Sequence, residues 1–169
     1  MRGLVIGTIV LFSFLLQSTV LQYFAIFGIV PNLCLVIIIC FALLKGSKTG
    51  ATIGIVLGFL YDIIFGSALG VFALIYFLIG YGSGMFNKKV FTSTMLTPFI
   101  FTIIATILCN LCQTLFFYLN NYDMNYLEIF KSMFILESLY NSILSIFIFR
   151  TITKLIKTPK LRFIGKQRS

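Results

Sequence analysis

Residues 45–62 read KGSKTGATIGIVLGFLYD. Lys45 and Lys48 stand at the start, Gly46, Gly50, Gly54 and Gly58 recur at intervals of four, and Asp62 takes the next place in the series. Four residues turn a helix by about 400°, so a stripe with this spacing drifts by only about 40° per step. The stretch is therefore a helix with a groove along one face, where another backbone can come close. Lipid gives helices no hydrophobic drive to associate, so close approach matters more there than in water. Spacing alone leaves two occupants for the groove, a helix of the same chain or a partner helix. Internal packing is the simpler expectation.

The rest of the chain agrees with a lipid setting. Of its 169 residues, 60% are hydrophobic and 10% are charged, with a mean hydropathy of +1.09. Soluble domains carry about 25% charged residues. Disorder requires low hydrophobicity and few aromatics, and this chain has 17% aromatic residues. Four cysteines do not make a disulfide scaffold at this length. An all-α integral membrane protein remains, and at roughly 20 residues per span the length admits about six helices.

Polar and turn-forming breaks divide the sequence into Leu4–Phe24, Pro31–Leu44, Thr49–Phe65, Leu69–Phe86, Thr94–Leu119 and Phe130–Phe149. Helices 2 and 3 are short for a full crossing, so an irregular hairpin over residues 27–65 is the alternative. The charges favour six spans. Both termini then share one side with Arg2, Lys45, Lys48, Lys88, Lys89 and the seven basic residues from Arg150 to Arg168, which is 12 of the 13. The other side holds Lys131 alone. The positive-inside rule makes the first side cytoplasmic. Residues 1–150 form the transmembrane domain in this reading and 151–169 a basic cytoplasmic tail. Arg2 and the apolar run after it lack a cleavage site and continue too far for a signal peptide, so they are read as helix 1. The net charge of +9 comes largely from the tail, whose chemistry suits anionic lipid and lacks the interleaved aromatics of a nucleic-acid binder.

This topology assigns a depth to each polar residue. Gln17, Ser18, Thr19 and Gln22 on helix 1, Asn32 on helix 2, Asp62 on helix 3, Asn110 and Gln113 on helix 5, and Glu137, Ser138 and Asn141 on helix 6 all fall in the outer half. Polar groups in hydrocarbon must be paired or wet. The expectation is a polar cluster there, either sealed as a network or opening outward as a pocket. Glu137 and Asn141 share a face, as do Asn110 and Gln113. Lys131 is the basic residue available to pair with Asp62 or Glu137. Asp62 itself reads either as a structural hydrogen-bond acceptor toward helix 1 or 6 or as a functional acid.

Most catalytic chemistry lacks its residues. The chain has no His, the commonest general base and metal ligand. Cys109 and Cys112 form a C-x-x-C pair inside a span, and Cys34 and Cys40 have the wrong spacing to complete a zinc site. Gly80, Gly82 and Gly84 lack the lysine and hydroxyl of a phosphate loop and are expected to thin or bend helix 4. The reading is non-enzymatic, with no cofactor and no metal.

The ordered motifs resemble the bacterial rod-shape-determining MreD family. The likeness runs through Leu16-Gln17-Ser18-Thr19, Pro31-Asn32-Leu33, Lys45-Gly46, Lys48-Thr49-Gly50, Gly54, Gly58-Phe59-Leu60-Tyr61-Asp62, Gly66-Ser67-Ala68-Leu69-Gly70 and Ala73-Leu74. It covers about the first 85 residues; beyond them only hydropathy and the basic end agree. The family's frequent Asp after the helix 2 Pro is Asn32 here, so no role that needs a charge at that position carries over. The resemblance implies an inner-membrane scaffold of the cell-elongation and peptidoglycan-synthesis machinery. It implies work with single-pass MreC, with the filament protein MreB, and with RodA and its paired transpeptidase. It also implies a fold similar to the six-helix substrate-binding components of energy-coupling-factor transporters. In the joined expectation an outward polar site of Gln17, Asn32, Asp62, Asn110, Gln113, Glu137 and Asn141 receives MreC. Gly46, Gly50, Gly54 and Gly58 pack helices. The competing reading is a vitamin or small-molecule carrier of that transporter type, against which helix 1 lacks an Ala-x-x-x-Ala pair.

Overall fold

The computed structural model describes residues 2–25, 28–66, 68–87, 96–121 and 126–157, and their side chains except those of 2, 24, 126–134 and 156–157. Six α-helices run through these residues: α1 (Arg2–Thr19), α2 (Leu33–Lys45), α3 (Ser47–Phe65), α4 (Val71–Met85), α5 (Leu96–Leu119) and α6 (Tyr126–Lys157). By length and apolar composition three are able to cross a membrane, namely Ser47–Phe65, Leu96–Leu119 and the Ile135–Leu155 part of α6. The other three are shorter apolar helices.

The shortest helix is the centre of the bundle. Every residue of α2 from Cys34 to Leu43 is buried. The helix has no polar face to turn outward, so it is covered on all sides. It touches each of the other five helices. Thirteen residues give about 20 Å of helix, against about 30 Å of bilayer hydrocarbon. Because α2 meets protein on every side, that shortfall is never matched against lipid. Within residues 28–65 the chain forms two regular helices, α2 and α3. Single-residue joint Gly46 separates α2 from α3, and its φ of 93° and ψ of 177° lie where only glycine sits without strain.

The glycine stripe meets α4, antiparallel. A Cβ at Gly50 would overlap the Gly80 carbonyl oxygen, and one at Gly54 the carbonyl oxygen of Tyr76. At Gly58 it would lie 2.5 Å from Ala73 Cα. From the α4 side, Gly80 faces the Gly50 backbone and Gly84 faces Ser47. Backbone therefore meets backbone along the whole pair. Gly46 does not share this role, because open space surrounds the place of its missing side chain. Gly82 also points away, with nothing within 4 Å.

Two helix ends differ from the expected boundaries. α1 stops at Thr19 and continues as a 3-10 turn over Leu21–Phe24. The Ser18 and Thr19 hydroxyls both donate to the Leu15 carbonyl, which draws that carbonyl away from the regular ladder. α6 runs past Phe149 to Lys157, into the segment assigned to the basic tail. Nothing between breaks a helix, and Pro159 lies just beyond. The side chains of Lys131, Lys88 and Lys89 and the tail after Lys157 lie outside the described residues, so the proposed pairing of Lys131 is not described.

Replacement of Gly54 by Leu is expected to destabilise the bundle by at least about 2 kcal/mol, because backbone on α4 has no room to yield. Gly82→Leu should stay within about 0.5 kcal/mol. Thermal unfolding of both variants in detergent, side by side, checks this; equal midpoints would show that the groove tolerates a side chain.

Candidate functional site

A helix leaves its first N–H groups without intrahelical partners. At the buried start of α2 side chains meet them. Gln17 of α1 does so with both ends of its amide: Oε1 accepts from Leu33 N at 2.7 Å and Nε2 donates to the Pro31 carbonyl at 3.1 Å. Asn32 caps its own helix, Oδ1 accepting from Leu35 N at 3.0 Å. The Asn32 N–H donates to Asn141 Oδ1 of α6 at 2.7 Å. Three helices thus converge on one helix N-terminus.

The network continues outward from these residues. Asn32 Nδ2 donates to the Tyr76 hydroxyl of α4 at 2.8 Å, and that hydroxyl lies 3.1 Å from Asn32 Oδ1, to which it donates. Asn141, fully buried, donates through Nδ2 to Thr106 Oγ1 of α5 at 3.2 Å and to Glu137 Oε1 at 3.4 Å. Glu137 Oε2 accepts from Asn110 Nδ2 at 2.8 Å. The pairs 106 with 141 and 110 with 137 set α5 and α6 antiparallel. Among the described residues no buried side-chain nitrogen or oxygen lacks a partner.

Asp62 is used elsewhere. It is 2% exposed and accepts three backbone N–H groups at the start of α4. Oδ2 takes Gly70 N at 2.9 Å and Ala73 N at 3.0 Å, and Oδ1 takes Phe72 N at 2.9 Å. A carboxylate there faces the positive end of the α4 dipole and satisfies its orphan donors at once. The structural acceptor role is therefore the one seen, toward α4 and not toward helix 1 or 6. Asp62 does not line the pocket as expected, because both its oxygens are spent on the α3–α4 joint.

A cavity of about 390 Å³ opens beside the network, lined by Gln17, Gln22, Val30, Asn32, Tyr61, Phe65 and Glu137. Three of the seven expected residues, Gln17, Asn32 and Glu137, reach it. Asn141 and Asn110 stand behind Glu137, and Gln113 turns its amide to Cys109 Sγ at 3.3 Å within its own helix. Tyr61, Tyr76 and Thr106 were not singled out from sequence. Tyr76 carried a usable signal, since a tyrosine in an apolar helix needs a partner for its hydroxyl. Thr106 lies one turn before Asn110 on the same face.

The cysteines make no site. All four are free, with Cys34, Cys40 and Cys109 buried and Cys112 exposed, so the C-x-x-C pair points in two directions. Among the described residues no group of three His, Cys, Asp or Glu is placed to hold a metal.

Loss of the Asp62 carboxylate is expected to cost about 2–4 kcal/mol, since three buried N–H donors are left unmet. Asp62→Leu should therefore lower the unfolding midpoint by roughly 5–10 °C. Asp62→Asn, which keeps one acceptor oxygen, should fall between Leu and wild type. An unchanged midpoint for the leucine variant would mean that the α4 start does not depend on this carboxylate.

Neither the curated proteins nor the solved structures contain a match to the chain. A family model does match, that of the rod shape-determining protein MreD, over residues 1–158. With nearly its whole length covered, the chain belongs to the MreD family, membrane proteins of the system that determines rod shape and not a known enzyme family.

Proposed function

We propose that this protein is a non-enzymatic scaffold of the cell-elongation machinery in the bacterial cytoplasmic membrane, and that it holds single-pass MreC through its polar cavity. Six spans with both termini in the cytoplasm complete the reading, together with a fold of the type used by energy-coupling-factor substrate-binding components. Helix directions support it. The C-terminal end of α1, the start of α2, the end of α3 and the start of α4 meet at one end. At the other end the Asn87 amide donates to the Leu43 carbonyl, joining the ends of α4 and α2. The basic residues whose side chains are described, Lys45, Lys48, Arg150 and Lys154, lie toward that second end.

The observation that carries the partner reading is the cavity itself. It sits at the end opposite the lysines, where the topology places the outside. Its wall carries the amides of Gln17, Gln22 and Asn32, those of Gln17 and Asn32 already bonded within the network, and a single carboxylate, Glu137. Such a wall suits a polar segment entering from the outer surface, and it includes no nucleophile with an adjacent base. MreB, RodA and its transpeptidase are the further partners implied by the family, and anionic lipid is proposed at the basic tail. The cavity volume also falls in the range of small-ligand sites, roughly 300–1,000 Å³, and this favours a carrier as the second reading.

Co-purification in mild detergent separates the two. Wild-type protein, tagged at its C-terminus, should retain MreC. Glu137→Ala and Gln22→Trp should each reduce that recovery at least threefold while elution as a folded species is kept. Recovery unaffected by both variants would move MreC away from the cavity. A retained vitamin or transporter ATPase would make the protein a carrier.

A further inference from the structure

Helices α1 and α6 both pack on α2 but, among the described residues, not on each other. Between them runs an apolar crevice of about 480 Å³. Phe12 and Leu16 form one wall, Ile148, Ile152 and Leu155 the other, and Ile37 of α2 the floor. Thr8, Ser13 and Thr151 also line it, yet each hydroxyl donates to its own helix, at 2.9, 2.7 and 2.9 Å to the carbonyls of Leu4, Val10 and Phe147. The crevice therefore presents hydrocarbon and no free polar donor.

The lining spans eight residue steps on each wall, Thr8 to Leu16 and Phe147 to Leu155, or about 12 Å of helix, and is apolar along that length. Charge decides the occupant. Arg150 and Lys154 are exposed on α6, adjacent in the helix to Thr151 and Leu155 on the crevice wall. Their long stems can lie along the apolar wall with the charged ends toward the headgroup layer. A second crevice of about 440 Å³ lies between α4 and α5. Neither of those helices carries a basic residue within its span, whereas Arg150 and Lys154 lie within α6 itself.

We propose that the α1–α6 crevice is a binding site for one anionic phospholipid of the cytoplasmic leaflet, its acyl chain between the helices and its phosphate at Arg150 and Lys154. The site lies beside the opposite end of the bundle from the polar cavity and stands whether or not that cavity takes MreC.

The test is native mass spectrometry of the full chain in mild detergent, with phosphatidylglycerol and phosphatidylcholine of identical acyl chains. Wild type is expected to retain phosphatidylglycerol at least fivefold more than phosphatidylcholine. R150A/K154A should bring the ratio to about one. Thr8→Phe with Thr151→Phe, both at exposed positions, should remove retention of both lipids. Gly82→Leu, which enters the other crevice, should behave as wild type. A wild-type ratio near one, or a preference that survives R150A/K154A and so belongs to the tail, overturns the proposal. So does loss of retention on Gly82→Leu. Should a double variant fail to fold, photoreactive phosphatidylglycerol on the wild type decides: cross-links on α1 or α6 peptides support the site, and cross-links confined to α3–α5 refute it.

Discussion

A helix buried at its start and on every side must have its free N–H groups met by side chains, and in this molecule α2 imposes that demand. Each unmet donor in a dry interior costs on the order of a few kcal/mol. Gln17 of α1, Asn141 of α6 and the helix's own cap Asn32 meet it. Their positions then constrain the rest. Gln17 draws the end of α1 against Pro31, Asn141 brings α6 against the start of α2, and Tyr76 reaches in from α4. At the far end Gly46 N and the Asn87 amide close the last carbonyls of the same helix. The polar network is thus the condition for having an apolar helix at the centre.

The α3–α4 pair solves a different problem with the same economy of groups. Glycines at Gly50, Gly54, Gly58 and Gly80 bring two backbones together, and this leaves α4 starting directly beside the last turn of α3. Asp62 is the next residue on the α3 stripe and so faces the N-terminus it caps. A charge that reads as costly in a span is stabilised by three donors and a helix dipole. With Asp62 so engaged, Glu137 is the acid on the cavity wall.

Polar and apolar openings are separated along the bundle. The cavity with its amides and Glu137 lies by the start of α2. The two crevices lie along the flanks, α1 against α6 and α4 against α5, where neighbouring helices splay around the central one. A 13-residue helix is a short core for five longer neighbours, and the gaps follow from that geometry. One end is thereby polar and the flanks apolar.

Much of this was readable from residue order. Hydropathy identifies six helical segments, four-residue glycine spacing marks the close-packed face, and the basic residues collect toward one end. A depth inventory brings Gln17, Asn32, Glu137 and Asn141 to one region, because polar groups in hydrocarbon must find each other. Sequence could not tell which helix lies in the middle, since an all-apolar helix reads alike whether lipid or protein surrounds it. Nor could it separate Asp62 from Glu137. Both are acids in the outer half, and only the packing of α4 against the glycine stripe turns one into a cap, while the meeting of α5, α6 and the start of α2 leaves the other on the cavity wall. Periodicity is a property of one helix; the partner of a buried charge is a property of two, and only their packing decides it.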